Sequence, residues 1–336
     1  VLGAGHWGPN LIRNFHDGPR SEVAWVVDRD PTRLRQVEDR FPDVRCSADA
    51  GDALRDPSVD AVVVATPTST HYTLVREALE RGKHVLVEKP ITTRSSEADE
   101  LCRVAREVGV TLMVGHVFLY NEAVRYVKGV VDAGDVGRVY YVSMVRTNLG
   151  PIRMDVNASW DLAAHDLSIA NYWLGAAPLS ASATGGTWIN GGIEDAVFAT
   201  LRYPGDVLLN LHVSWLNPRK ARDITVVGDR RMLTLDDMNL SEPIRMYDKG
   251  VTDELMSPTY VDTFASFRAS VRDGDVTIPR VPMGEPLRAE CEHFLDCVEL
   301  GKEPLTGGRE GAAVVRALEA IDRSIRGRGR EEQVPE

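Results

Sequence analysis

The chain has 336 residues and carries Lys+Arg 39 against Asp+Glu 50, a net charge of −11 at pH 7; this acidic field disfavours nucleic acid and anionic membrane surfaces as partners. Hydrophobic residues at 43% and charged residues at 26% exclude a disordered, collagenous or coiled-coil chain, and the length exceeds what one core ordinarily fills, so two domains are expected. Four cysteines without CxxC or Cys/His spacing give no disulfide framework and no metal site, and with no long apolar run or leader pattern the expected location is the cytoplasm.

In chain order, Val1-Leu2 runs directly into Gly3-Ala4-Gly5-His6-Trp7-Gly8, a GxGxxG, and Pro9 opens a helix containing Leu11, Ile12 and Phe15. Such a turn brings backbone N–H groups to a pyrophosphate at a helix N-terminus. By itself it is equally a structural glycine turn. Strands are expected at Val23–Asp28, Val44–Cys46, Asp60–Ala65, His84–Glu88 and Thr111–Gly115, none with polar alternation, as in a parallel sheet covered on both faces. Asp30-Pro31 starts one intervening helix, and Gly82 and Gly109 end two others. Asp28 follows the last glycine of the turn by 20 residues, the spacing at which a carboxylate meets ribose hydroxyls, so NAD is favoured over NADP. Arg29 beside it weighs the other way, as a fork for a 2′-phosphate or as an exposed turn residue. Thr66-Pro67 with His71, and Glu88-Lys89-Pro90, follow strand ends and are expected to line the cofactor cleft. Lys89 is either a solvated charge or a donor to a reacting hydroxyl.

Beyond a helix at Asn121–Ala133 the pattern becomes longer alternating runs, Val139–Asn148, Ala181–Ile189, Val197–Tyr203, Val207–Trp215, Asp223–Gly228 and Met232–Leu235, which read as a mostly antiparallel sheet. Helices are expected at Trp160–Leu174, Pro286–Leu300 and Gly308–Arg326, with a frayed tail from Gly327. The expected domains are 1–118, an NAD(P)-binding α/β domain, and 119–336, an α+β domain for substrate and self-association. On a helix Asp161 and His165, four apart, share a face, where a carboxylate orients an imidazole for general-base work or simply satisfies it. Arg219, Lys220 and Arg222 sit by Asn217-Pro218, in what reads as a hydrated hairpin tip.

These motifs together resemble the Gfo/Idh/MocA oxidoreductases along essentially the whole chain. The resemblance implies a Rossmann domain followed by an α+β domain with an open, mostly antiparallel sheet. It implies an active site in which Lys89 polarises the substrate hydroxyl, His165 is the acid/base and Asp161 assists. His6-Trp7-Gly8-Pro9-Asn10, Phe118-Leu119-Tyr120-Asn121, Leu149-Gly150-Pro151-Ile152-Arg153 and Asp155-Val156-Asn157 are similar to the branch of UDP-N-acetylglucosaminuronate 3-dehydrogenases. That likeness makes Tyr120, Asn121, Arg153 and Asn157 candidate substrate contacts and a nucleotide-linked sugar the expected substrate. A cyclitol or free-sugar dehydrogenase and a non-catalytic dinucleotide sensor are the alternatives. A second-domain sheet rich in Val, Leu and Trp also predicts a homodimer or homotetramer.

Overall fold

The computed structural model describes residues 1–189, 191–251 and 271–335. They form two compact units, Val1–Tyr120 with Gly284–Glu319, and Asn121–Met283 with Ala320–Glu336. This differs from the expected 1–118 and 119–336, because Gly284–Glu319 returns to the first unit. The reason is its apolar face. Helix Pro286–Leu300 packs against helix Gly8–His16, with Phe294 meeting Phe15 edge-on at 6.3 Å. Beyond it the Val114 N–H donates to the Thr306 carbonyl (2.7 Å), and Glu319 accepts the N–H and hydroxyl of Ser95. A helical pattern predicts a buried stripe but does not name what buries it.

The first unit's parallel strands are β1 (Trp25–Val27), β2 (Arg45–Ser47), β3 (Ala61–Val64), β4 (His84–Glu88) and β5 (Leu112–Gly115). Leu2 pairs in parallel with both Val27 and Val64, so a single residue stitches β2-β1 to β3-β4-β5. This is the doubly wound order, in which the glycine turn leaves the sheet at its centre. Val62, Val64, Val85, Val87, Met113 and Val114 are buried, as expected of strands with helices on both faces.

The second unit holds a nine-stranded sheet. Its strands are β6 (Val139–Leu149), β7 (Ser180–Gly186), β8 (Ala196–Tyr203), β9 (Val207–Ser214), β10 (Leu216–Gly228), β11 (Met232–Asp236), β12 (Ile244–Val251), β13 (Val271–Thr277) and β14 (Glu332–Gln333). The order is β13-β12-β11-β10-β6-β9-β8-β7-β14, antiparallel throughout except for β6 beside β9. Strand β8 alternates strictly, with Val197, Ala199 and Leu201 buried and Phe198, Thr200 and Arg202 exposed. On the covered side Arg146 of β6 reaches Asp166 of helix Ala164–Leu174, and Trp173 of that helix donates to the Val124 carbonyl of helix Glu122–Asp132 (2.9 Å). The opposite face shows Tyr141 and Phe198, the latter stacked on His212 at 4.4 Å. The tail is not frayed: β14 pairs with β7, and Ser324 donates to the Arg330 carbonyl (2.6 Å). Among the described residues no helix is long and apolar enough to cross a membrane.

Candidate active site

In the first unit, the glycine turn is shaped by contact as well as by spacing. Gly3 has φ +98°, and a Cβ there would lie 2.6 Å from the Ala65 carbonyl oxygen; one on Gly8 would lie 2.1 Å from that of Gly3. Only glycine lets the backbone turn this tightly between two strand ends. The helix that follows starts at Gly8 with no side-chain cap at Trp7 and no acid in its first turn. Its N-terminal dipole therefore faces an anion without competition from a carboxylate of its own. Asp28 accepts the Ala4 N–H (2.7 Å) and the Asp30 N–H (2.9 Å), which fixes its carboxylate at the end of β1. These features fit a dinucleotide's pyrophosphate and ribose. His6 and Arg29 are exposed, and the arginine that the fold brings to Asp28 is Arg33, at 3.5 Å.

The loops after β3 and β4 are tied together by His71. Its ring nitrogens lie 2.9 and 2.8 Å from the carbonyls of Pro90 and Thr66, and at 1% exposure it holds the loops rather than lining a cleft. Burial pushes its pKa below the ordinary value in spite of the two carbonyls. Thr66 accepts the Thr70 hydroxyl (2.7 Å), and Pro67 is exposed. Glu88 ends β4, takes a hydrogen bond from the Trp7 side chain, and is pushed up by burial against the pull of Lys89. The Lys89-Pro90 bond is cis. His116, just past β5 and electrostatically coupled to Lys89, is pushed down to about 3 by burial. Tyr120 does not serve as an open substrate contact: it is 1% exposed, its hydroxyl is 3.2 Å from that of Thr306, and its ring lies against His293.

In the second unit, the expected helix from Trp160 begins instead as a π-helical turn, Ser159–Ala163, and becomes α-helical only at Ala164. Asn157 builds that start. Its amide oxygen accepts the Ser159 hydroxyl (2.6 Å) and the Trp160 N–H (3.2 Å), and its NH₂ donates to Glu194 (2.9 Å) and Asp322 (3.0 Å). Asp322 also accepts the Trp160 indole (2.8 Å). With its hydrogen-bonding groups so engaged, Asn157 is a strut and not a substrate ligand. Asn121 is likewise occupied, capping Ala123 (2.8 Å) and donating to Asp237 (3.1 Å).

The π turn widens the spacing on which the shared-face argument rested. Asp161 lies within it, its carboxylate accepting from Arg153 (3.2 Å) on one oxygen and from the Trp215 indole (3.1 Å) on the other. Arg153 also clamps Asp155 through two hydrogen bonds (2.9 and 2.6 Å). His165 follows at the start of the α-helix, half-buried, and next to it Asp166 forms a buried ion pair with Arg146, whose Nε and Nη2 both donate to one carboxylate oxygen (2.9 and 2.7 Å). Sequence reasoning missed Trp215 and Arg146. Trp215 reads from the sequence only as the end of the strand Val207–Trp215, and in place of the expected hairpin tip β10 starts at Leu216 and slips register before Ala221. Arg219 and Lys220 lie exposed in that irregular stretch.

A family model described as an oxidoreductase family with an NAD-binding Rossmann fold, GFO_IDH_MocA, matches residues 1–116, and the GFO/IDH/MocA C-terminal domain matches residues 124–234. The chain is 28% identical to UDP-N-acetylglucosamine 3-dehydrogenase of Acidithiobacillus ferrooxidans, covering 94% of this chain and 93% of that protein. It is 27% identical to scyllo-inositol 2-dehydrogenase (NAD(+)) of Bacillus subtilis, covering 91% and 87%. A solved structure of UDP-N-acetylglucosamine 3-dehydrogenase GnnA from Acidithiobacillus ferrooxidans matches with TM-score 0.81 at 26% identity, over 97% of both chains. The WlbA dehydrogenase from Bordetella pertussis, solved with NADH and UDP-GlcNAcA, matches with TM-score 0.83 at 23% identity over 100% and 96%, a likeness of fold.

Proposed function

The chain belongs to the Gfo/Idh/MocA oxidoreductases and takes NAD, and from that premise we propose that it moves hydride between the nicotinamide and a ring carbon, C3, of a nucleotide-linked sugar. Bound at the glycine turn and Asp28, NAD supplies the hydride acceptor. Lys89 donates to the reacting hydroxyl and favours its ionisation. His165 takes the hydroxyl proton as hydride leaves carbon, so the alcohol becomes a ketone and the imidazole an imidazolium. Asp161, steadied by Arg153 and Trp215, stabilises the charge that develops there.

The observation that carries the substrate reading is Arg153. In an acidic chain it is a guanidinium beside Asp161 that is 34% exposed, so a diphosphate or carboxylate could reach it in exchange for Asp155. The similarity to a UDP-sugar dehydrogenase over most of the chain supports the same reading. The inositol dehydrogenase relative supports the alternative of a cyclitol substrate. Calorimetry and turnover with UDP- and dTDP-hexoses, their free sugars and myo-inositol test the choice. A nucleotide sugar should bind more tightly than its free sugar, with a salt-dependent loss on Arg153→Ala. Better turnover of myo-inositol transfers the assignment to the alternative. The same reading takes the open face carrying Tyr141 and Phe198 as a self-association surface, and sedimentation as a monomer at micromolar concentration contradicts it.

A further inference from the structure

Arg153 divides its guanidinium between two carboxylates of the second unit. Its Nε and Nη2 donate one to each oxygen of Asp155 (2.9 and 2.6 Å), and its Nη1 donates to Asp161 (3.2 Å). The edge formed by Nε and Nη2 is the fork that matches two oxygens of a carboxylate or a phosphate. The edge best suited to an anionic ligand is therefore filled by a carboxylate of the chain itself. The remaining nitrogen is tied to the interior, because the other oxygen of Asp161 takes the indole N–H of the buried Trp215 (3.1 Å).

Little else holds Asp155. Residues 150–157 join β6 to the π turn without helix or strand. The Asp155 side chain is 52% exposed, and Met154 before it is 73% exposed. Among the described residues Arg153 is the only side chain that hydrogen-bonds it, which keeps the carboxyl below its ordinary range and ionised at neutral pH. An ion pair this exposed adds little to stability and is readily exchanged for another. Asn157, two positions on, is braced separately by Glu194 and Asp322, so movement of Asp155 leaves the turn that carries Asp161 in place.

We propose that Asp155 is a built-in competitor for the substrate's anion, occupying the outer edge of Arg153 until a phosphate or carboxylate of the ligand displaces it while Nη1 keeps Asp161. The exchange sets the greater charge of a diphosphate, or a carboxylate carried by an otherwise bound sugar, in place of one aspartate and returns Asp155 to water. A neutral sugar or cyclitol has no charge with which to make the exchange. Asp155 is thereby a specificity-determining residue that makes negative charge a condition of binding at this edge. The inference rests on the anionic-substrate reading above and adds to it the group that the substrate must displace.

Titration calorimetry of the NAD-loaded protein with UDP, glucuronate and myo-inositol tests it. Asp155→Asn should bind an anion about two- to fivefold more tightly than the unsubstituted chain, the range an exposed ion pair spans, with myo-inositol unaffected. Tighter UDP assigns the edge to the diphosphate and tighter glucuronate alone assigns it to a sugar carboxylate; either supports the exchange. In an Arg153→Ala background Asp155→Asn should add nothing, whereas a change of local field or loop structure would persist there. Asp155→Ala repeats the measurement without an amide oxygen. Anion affinity unchanged or weakened in both Asp155 variants overturns the exchange, and if it still falls in Arg153→Ala the substrate reading stands. Binding of neither anion overturns both. An equal gain for myo-inositol, or a gain that survives Arg153→Ala, also overturns the proposal.

Discussion

Two helices begin at the sites described, and they begin in opposite ways. Helix Gly8–His16 has no side-chain cap and no acid in its first turn, so its start offers backbone N–H groups to a ligand. The π-helical turn Ser159–Ala163 is closed from within by Asn157, Glu194 and Asp322, and what it presents instead are side chains, Asp161 and then His165. A pyrophosphate is held by backbone that approaches it closely, so small residues and an unfilled helix end are what that site needs. Proton transfer, the role proposed for Asp161 and His165, needs a side chain held still, and Asn157, Glu194 and Asp322 brace the turn in front of them.

The largest expected effect separates the two sites by function. His165→Ala should lower turnover by about 10²–10⁴-fold while NAD affinity by fluorescence titration changes little; a matching loss of NAD affinity would erase the distinction. Next, Asp166→Asn leaves Arg146 buried without its counter-charge, and breaking such a pair costs about 3–5 kcal/mol, to be read as a lowered denaturation midpoint. Gly3→Ala is the converse of the histidine variant. Backbone strain of about 1–3 kcal/mol and the clash with Ala65 should weaken NAD binding, while the π turn and its struts stay intact by amide exchange.

A further test comes from pH. His116 is held neutral in the fold down to about pH 3, whereas the unfolded chain protonates it near 6.5. Stability is therefore lost as pH falls from about 6.5 toward 3, and His116→Leu should flatten that acid limb of a thermal-denaturation profile. Glu88 acts in the other direction. Its raised pKa means that the folded state binds more protons than the unfolded one, so stability is lost as pH rises from about 4.5 through about 7. Smallest is the cofactor preference set by Asp28: NADH should bind more tightly than NADPH, and Asp28→Asn should narrow the gap.

The contrast between the sites also explains how much of each was legible. Gly3, Gly8 and Asp28 are related by spacing along the chain, and the parallel strands that carry them are short apolar runs, so local pattern sufficed. The strand-end loops were legible for the same reason, although His71 proved to be their tie and not their lining. In the second unit the residue types were readable and their partners were not. The i,i+4 spacing of Asp161 and His165 presumes an α-helix, and the π turn that replaces it depends on Asn157 meeting Asp322, 165 positions away in the chain. Trp215 finds Asp161 only through the register of a long sheet. Tyr120 and Asn121 stood in a recognisable motif, yet their hydrogen bonds are made inside the fold.

The return of Gly284–Glu319 to the first unit bears on how the protein is made. A nascent chain that has reached Tyr120 already contains the glycine turn, Asp28 and all five parallel strands, but not Phe294 to cover Phe15 or Thr306 to receive the Val114 N–H. On the ribosome, cofactor competence therefore waits until Gly284–Glu319 has been made, and Asn121–Met283 of the second unit is synthesised before the first can close its core. The unit that binds NAD therefore keeps apolar surface uncovered while Asn121–Met283 is being made, the kind of exposure that chaperones exist to guard.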